Sequence, residues 1–198
     1  MRTDSVRIAQ SALDDVRKWI GKNFPDQLPA EPIHYAVGKS AQDAHECIRP
    51  TYIDYTPDSV KEYLTRDQLR LYSIIWERFF SSQMNNAKTR TTSVDIEAGD
   101  ALFRVSASKL IEKGFYSVMK VLSSKEEVTG NIPALKEGEI LDSAHKFYPE
   151  QHFTSGPARY TDASIVKMLE EKGIGRPSTY APIISVLLDR YYVTRNNR

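Results

Sequence analysis

Apolar residues recur at helical spacing near the start of the chain: Val6, Ala9, Leu13, Val16 and Ile20 follow one another at intervals of three and four. On a helix that spacing gathers them on one face. A first helix is therefore predicted, with Asp4 or Ser5 placed to cap its free N–H groups and Gly21 to end it. Residues 24–60 lose the period. They hold Pro25, Pro29, Pro32, Pro50 and Pro57, half of the 10 prolines, and predict an irregular but positioned loop. Helical spacing returns across 66–84 through Leu71, Ile74, Ile75, Phe79 and Ser82.

The middle of the chain changes period. Thr92, Val94 and Ile96, then Leu102 to Val105, then Phe115 to Val121 are short runs rich in β-branched and aromatic residues. Gly99-Asp100 and Lys113-Gly114 separate them and read as hairpin turns, so an antiparallel β region is expected. Lys125 to Asp142 is polar, carries Gly130, Pro133 and Gly138, and reads as a connection between domains. Beyond it, Thr161 opens a helix with Ile165, Val166 and Leu169 inward, and Gly173 closes it. A second helix is predicted from about Ser178, with Pro182 in its first turn and Ile183, Ile184, Leu187 and Leu188 apolar. Tyr191 to Thr194 reads as a strand. The chain is accordingly α+β, with helical segments at 1–84 and 146–198 flanking a β-rich segment at 85–145.

Composition adds limits. The chain has 198 residues, 40% hydrophobic and 27% charged, which is ordinary for a folded domain or two. One cysteine, Cys47, forms no internal disulfide, and the first ten residues hold no apolar signal core, which together point to the cytoplasm. No apolar run approaches the roughly 18 to 20 residues of a membrane span. The net charge of +1 excludes a highly basic nucleic-acid coat. It is unevenly spread: residues 146–198 carry 8 basic and 5 acidic groups, whereas 1–84 carry 11 and 12 and 85–145 carry 8 and 9.

Three polar groups are candidates for chemistry. Helix, Gly-containing turn, helix and strand at the C-terminal end form the outline of a winged helix-turn-helix unit. Arg176, Ser178 and Thr179 lie at the start of its second helix, where free N–H groups favour a phosphate and a guanidinium adds bidentate hydrogen bonds. A capped helix with a rigid turn explains the same residues without function. Arg2-Thr3-Asp4-Ser5 sets a guanidinium, two hydroxyls and a carboxylate before the first helix. Capping would explain Asp4 and Ser5, but not Arg2. His45-Glu46 beside Arg49-Pro50-Thr51 sets a histidine next to a carboxylate, able to hold one tautomer and act as an acid or a phosphate donor; a surface pair is the alternative. Neither zinc-ligand spacing nor a P-loop occurs.

Taken in order, MRTDS at 1–5, AQDAHECIRPT at 41–51, LYSIIWERFFSSQM at 71–84, NIPALKEG at 131–138, QHFTSGPARYTDASIVKMLEE at 151–171 and GIGRPSTYAPIISVLLDRYYV at 173–193 give a more specific signal. The chain resembles the central part of a bacterial type IA DNA topoisomerase over nearly its whole length.

That resemblance implies an enzyme that cuts one DNA strand through a 5′-phosphotyrosine, passes another strand through the gap and reseals it. Negatively supercoiled DNA is thereby relaxed without ATP. It implies Mg²⁺ for the full-length protein, with ligands in a Toprim domain outside this chain and none within it. The nucleophilic tyrosine of the motif directly precedes the Met of MRTDS, so the chain is expected to be inactive alone while keeping part of the DNA-binding and gate surface. Residue by residue, Arg2 falls beside the nucleophile to bind the scissile phosphate, and Asp4 and His45 are a supporting, hydrogen-bonded pair. Arg49, Thr51, Arg176, Ser178, Thr179 and Arg190 are DNA contacts. Cys47 stands where alanine is common in the family. By the same resemblance 1–84 is the later part of the tyrosine-bearing domain, 85–145 gate-arch material, and 146–198 the start of a helical domain lining the DNA groove. The expected partner is single-stranded DNA, the location the nucleoid, and the state a monomer or weak dimer. The competing reading is a stand-alone winged-helix module that binds duplex without catalysis; a third is an arch segment that binds nothing alone.

Overall fold

The structure is a computed structural model and describes residues 1–36, 45–120, 132–141 and 148–196. The chain divides into two compact units, Met1–Lys136 and Glu137–Arg198.

In the first unit, helix α1 (Gln10–Asn23) buries Ala12, Leu13, Val16 and Ile20, so most of the predicted face is the buried one. Its start differs from expectation. Val6 is exposed, and residues before Gln10 are not helical. They run beside residues 45–47 instead, with Arg2 N–H donating to Glu46 O at 2.7 Å and Cys47 N–H to Arg7 O at 2.8 Å. Asp4 and Ser5 are drawn into that pairing and do not cap the helix. Gly21 lies inside α1, and the helix ends at Asn23 before Phe24 and a 3-10 turn at Pro25–Gln27.

After a short helix α2 (Pro57–Val60) and a 3-10 turn at Lys61–Tyr63, helix α3 spans Arg66–Ser81. Thr65 opens it with a capping box: its hydroxyl accepts from Gln68 N–H while the Gln68 side chain accepts from Thr65 N–H. The spacing located this helix and its Phe79 is buried, with Ile74 and Ile75 half-buried, but the centre of the inward face lies elsewhere. Ser73, Trp76, Glu77, Phe79 and Phe80 are buried, whereas Leu71 is exposed. Aromatic packing decided this. Trp76 stacks on Phe80 at a centroid distance of 3.8 Å, and Trp19 of α1 meets Phe80 edge-on at 4.5 Å. Large rings that gain from edge and offset contacts outweigh the branched aliphatics for the central position. Met84, Val118 and Met119 complete the core.

The proline-rich loop is pinned from that core. Gln83 is fully buried, and its amide accepts from Ile33 N–H at 3.1 Å and donates to Ile33 O at 2.9 Å, serving Ile33 as a strand partner would.

Strands β1 (Lys88–Ala98) and β2 (Ala101–Glu112) form one antiparallel hairpin joined by Gly99-Asp100, with Gly99 at φ 60 as a two-residue turn with glycine first requires. Its faces differ. Pairs Thr91/Ser108, Ser93/Ser106 and Asp95/Arg104 make a polar face, and Val94/Val105 and Ile96/Phe103 an apolar one. The predicted third strand from Phe115 is instead a 3-10 turn at Gly114–Ser117 followed by buried Val118 and Met119; Val121 lies outside the described residues. Lys113-Gly114 is therefore no hairpin turn. Gly114, at φ 49, lies against the backbone of Asn85–Ala87 so closely that a Cβ would sit 2.5 Å from Ala87 N. Phe115 N–H donates to Asn85 O there, and the chain turns into the core where a strand would have run outward.

In the second unit, α4 (Asp162–Glu171) opens with a capping box between Thr161 and Ser164. It closes on Gly173, at φ 66, with Ile174 N–H bonded to Leu169 O and Gly173 N–H to Glu170 O. Leu169 is buried, and Ile165 and Val166 are half-buried. Helix α5 is Tyr180–Asp189, two residues later than expected, with Pro182 in its first turn. Its apolar Ile183, Ile184, Leu187 and Leu188 are half-buried. Residues 191–194 form a turn and not a strand: Tyr191 adopts φ 58, and the N–H groups of Tyr192 and Val193 bond back to Leu187 O. No helix among the described residues is long and apolar enough to cross a membrane.

Candidate functional site

The pairing of residues 1–9 with 45–47 builds the first site. Ser5 Oγ donates to His45 O at 2.8 Å, and Arg7 Nε donates to the same carbonyl at 3.2 Å. Two hydrogen bonds to its backbone carbonyl hold His45 in place. Its ring Nδ1 then meets both carboxylate oxygens of Asp4 at 3.0 Å. With Asp4 accepting, Nδ1 carries the proton, and Nε2 is the nitrogen left for a ligand. Both side chains are about one-quarter exposed, so the pair is sheltered yet reachable. The Arg2 guanidinium lies on the same segment, exposed and without a hydrogen bond or ion pair to the described residues.

Glu46 does not hold the neighbouring histidine, as its position in the sequence suggested. Its carboxylate accepts from Ala9 N–H at 3.1 Å, supplying the N-terminal end of α1 with the acceptor that Asp4 and Ser5 were expected to provide. It also takes Arg49 Nε at 2.7 Å and Nη2 at 3.4 Å, while Arg49 Nη1 donates to Pro50 O at 3.1 Å. The Arg49 side chain is only 17% exposed. Its guanidinium is thus committed to the fold of the loop, whereas Thr51 beside it is exposed. The Arg49 hydrogen bonds hold the Glu46 carboxyl below its ordinary range, chiefly through the guanidinium and to a lesser degree through the Ala9 N–H. Burial pushes the Cys47 thiol up, which suits a quiet packing role better than a reactive one. Sequence reasoning did not assign the linking role of Glu46, because its partners Ala9 and Arg2 are 37 and 44 residues away.

A second group lies in the GIGRPST turn. Gly175, at φ 80, brings the backbone close to Thr179, whose hydroxyl accepts from Arg176 N–H at 2.8 Å and donates to Arg176 O at 3.0 Å. The rigid capped turn weighed as the plain alternative is therefore present. The helix N-terminus itself is a poorer anion site than expected: Thr179 and Tyr180 N–H groups both bond to Arg176 O, and Pro182 has no N–H to offer. What remains for a ligand is the exposed Arg176 side chain, which touches only Gly175 O at 3.2 Å, and the Ser178 hydroxyl. Arg190 caps the other end of α5, about 15 Å away at roughly 1.5 Å per residue, and has no side-chain partner among the described residues. Among the described residues no three His, Cys, Asp or Glu side chains converge, so these residues do not form a cation cage.

Comparison with known proteins bears on both groups. A family profile described as DNA topoisomerase matches residues 1–198. The chain is 58% identical over 195 residues to DNA topoisomerase 1 of Treponema pallidum, covering 98% of this chain and 26% of that protein. It is 47% identical to DNA topoisomerase 1 of Rickettsia felis, with the same coverage. The structure of full-length topoisomerase I from Thermotoga maritima superposes with a TM-score of 0.77 at 34% identity, covering 100% of this chain and 31% of that one. The chain thus spans about a quarter of the length of the curated relatives it matches. Matched from end to end in sequence and in fold, the chain belongs to the bacterial type IA DNA topoisomerase family.

Proposed function

We propose that this chain supplies the phosphate-handling and strand-guiding part of an enzyme that relaxes negatively supercoiled DNA by transient single-strand cleavage. The observation that carries the proposal is the Asp4–His45 pair on the segment that holds Arg2, whose guanidinium has no partner among the described residues. In the reaction a tyrosine oxygen attacks phosphorus, the bond from phosphorus to the 3′ oxygen breaks, and the departing 3′ hydroxyl later attacks the phosphotyrosine to reseal the strand. The nucleophile is assigned by resemblance to the position before Met1, so these residues act around it. Arg2 donates to a phosphate oxygen and offsets the charge that develops there. Asp4 holds the His45 ring through Nδ1 and leaves Nε2 as the nitrogen available to the same phosphate. Glu46 fixes both by tying the Arg2 segment, α1 and Arg49 together.

In this reading Arg176, Ser178 and Arg190 contact the backbone of a single strand, Thr179 sets the turn that presents Arg176, and Arg49 and Thr51 shape the loop that borders the His45 site. Residues 1–84 fall in the tyrosine-bearing domain, 85–145 in the gate arch and 146–198 in the DNA-groove domain. The full-length enzyme draws Mg²⁺ to ligands outside this chain.

The test is binding of single-stranded and duplex oligonucleotides across a salt series. Weakly sequence-dependent, salt-sensitive preference for single strands is expected, and Arg176→Ala should reduce the salt slope by about one phosphate contact. Tight, base-specific duplex binding would support the winged-helix module instead.

A further inference from the structure

Helix α5 ends in a turn that normally demands glycine. Tyr192 N–H donates to Leu187 O and Tyr191 N–H to Leu188 O, each at 3.0 Å, which is the Schellman arrangement. The residue at its left-handed position is usually glycine, as Gly173 is at the end of α4. Here it is Tyr191, at φ 58, and no other non-glycine residue among those described has positive φ. A Cβ crowds the neighbouring carbonyl in that conformation. Packing does not offset the strain, because Tyr191 is 86% exposed. Strain that no internal contact repays points to a use for the ring itself.

The surroundings indicate which use. Tyr191, Tyr192 and Tyr160 line one open cleft of about 1310 Å³ together with Arg159, and all three rings are largely exposed. Arg195 in the same cleft is taken by Asp162 at 2.7 Å, but Arg159 and the adjacent Arg190 have no partner among the described residues. Aromatic faces interleaved with free guanidinium groups, on the segment holding the excess positive charge, match an unpaired base and its phosphate. A paired base has its faces covered by its neighbours. The geometry points to Tyr191 as a stacking platform for an unpaired nucleobase, with Arg159 and Arg190 on the adjoining phosphates. This rests on the single-strand reading above and adds the base to it.

The experiment uses the whole chain, an oligothymidylate of about 15 nucleotides and an abasic backbone of equal length. Tyr191→Gly is expected to weaken oligothymidylate binding about tenfold and to leave abasic binding and the salt slope unchanged. It should also raise the melting temperature, because glycine is at ease in that turn. Tyr191→Phe should retain the binding. Unchanged oligothymidylate affinity in Tyr191→Gly overturns the inference, and the single-strand reading survives if Arg176→Ala still lowers the salt slope. Equal loss on both probes also overturns it, since that marks a change in turn geometry. A lowered melting temperature overturns it as well, because the ring then packs against protein. Absence of any single-strand binding by the unaltered chain removes the underlying reading and the platform with it.

Discussion

Gly114 shows how a single missing methyl can hold two parts of a unit together. Its φ of 49 and the backbone of Asn85–Ala87, 2.5 Å from where a Cβ would be, leave no room for a side chain. Gly114→Ala should cost about 2 kcal/mol or more, because strain and a backbone clash act together. A shift of the denaturant midpoint measures this, and an unchanged midpoint would show that the Asn85 crossing moves freely. Asp4 and Glu46 teach a related lesson. Adjacency in the sequence pairs Glu46 with His45, whereas the family resemblance pairs Asp4 with it, and the structure has the second arrangement. The carboxylate adjacent to His45 serves α1 and Arg49, while the one 41 residues away holds the ring.

At the scale of elements, capping and spacing translated well. Thr161 with Ser164 made the start of α4 visible, and Gly173 its end. Thr161→Ala should therefore destabilise by about 1 kcal/mol, with loss of amide protection in the first turn of α4 as the measurement; retained protection would mean that packing alone holds the helix. Other elements were misread where a long-range contact outweighed local pattern. Phe115 to Met119 has strand-like composition, but Val118 and Met119 are buried in the core beside Trp76 and Phe80, which a continued strand would have prevented. Residues 1–9 look like the start of a helix, but their N–H and Oγ groups find partners at 45–47. The start of α1 is thus decided by Glu46, not by its own preceding residues.

For the whole molecule, acid should act on the first unit through Glu46. Its carboxyl is lowered from the ordinary 4.5, mainly by Arg49. The unfolded chain therefore binds the proton more readily, and the stabilisation is fully present above about pH 4.5 and lost as pH falls through the depressed folded value. Denaturant midpoints should fall less steeply in Glu46→Gln than in the unaltered chain as the pH is lowered from about 6 into the acid range. Parallel curves would mean that the Glu46 link adds nothing to folding.

The sequence by itself determined the α+β character, the positions of α1, α3, α4 and α5, the Gly99-Asp100 hairpin and, through its motifs, the family. These follow from local causes: apolar period, caps, and glycine where φ must be positive. Only the tertiary structure decided that Glu46 serves α1 and Arg49, that Arg49 and Thr179 are engaged within the fold while Arg2 and Arg176 remain available, and that a tyrosine occupies a glycine's place after α5. Those outcomes depend on groups far apart in sequence competing for the same hydrogen bonds, and a one-dimensional pattern carries no record of that competition.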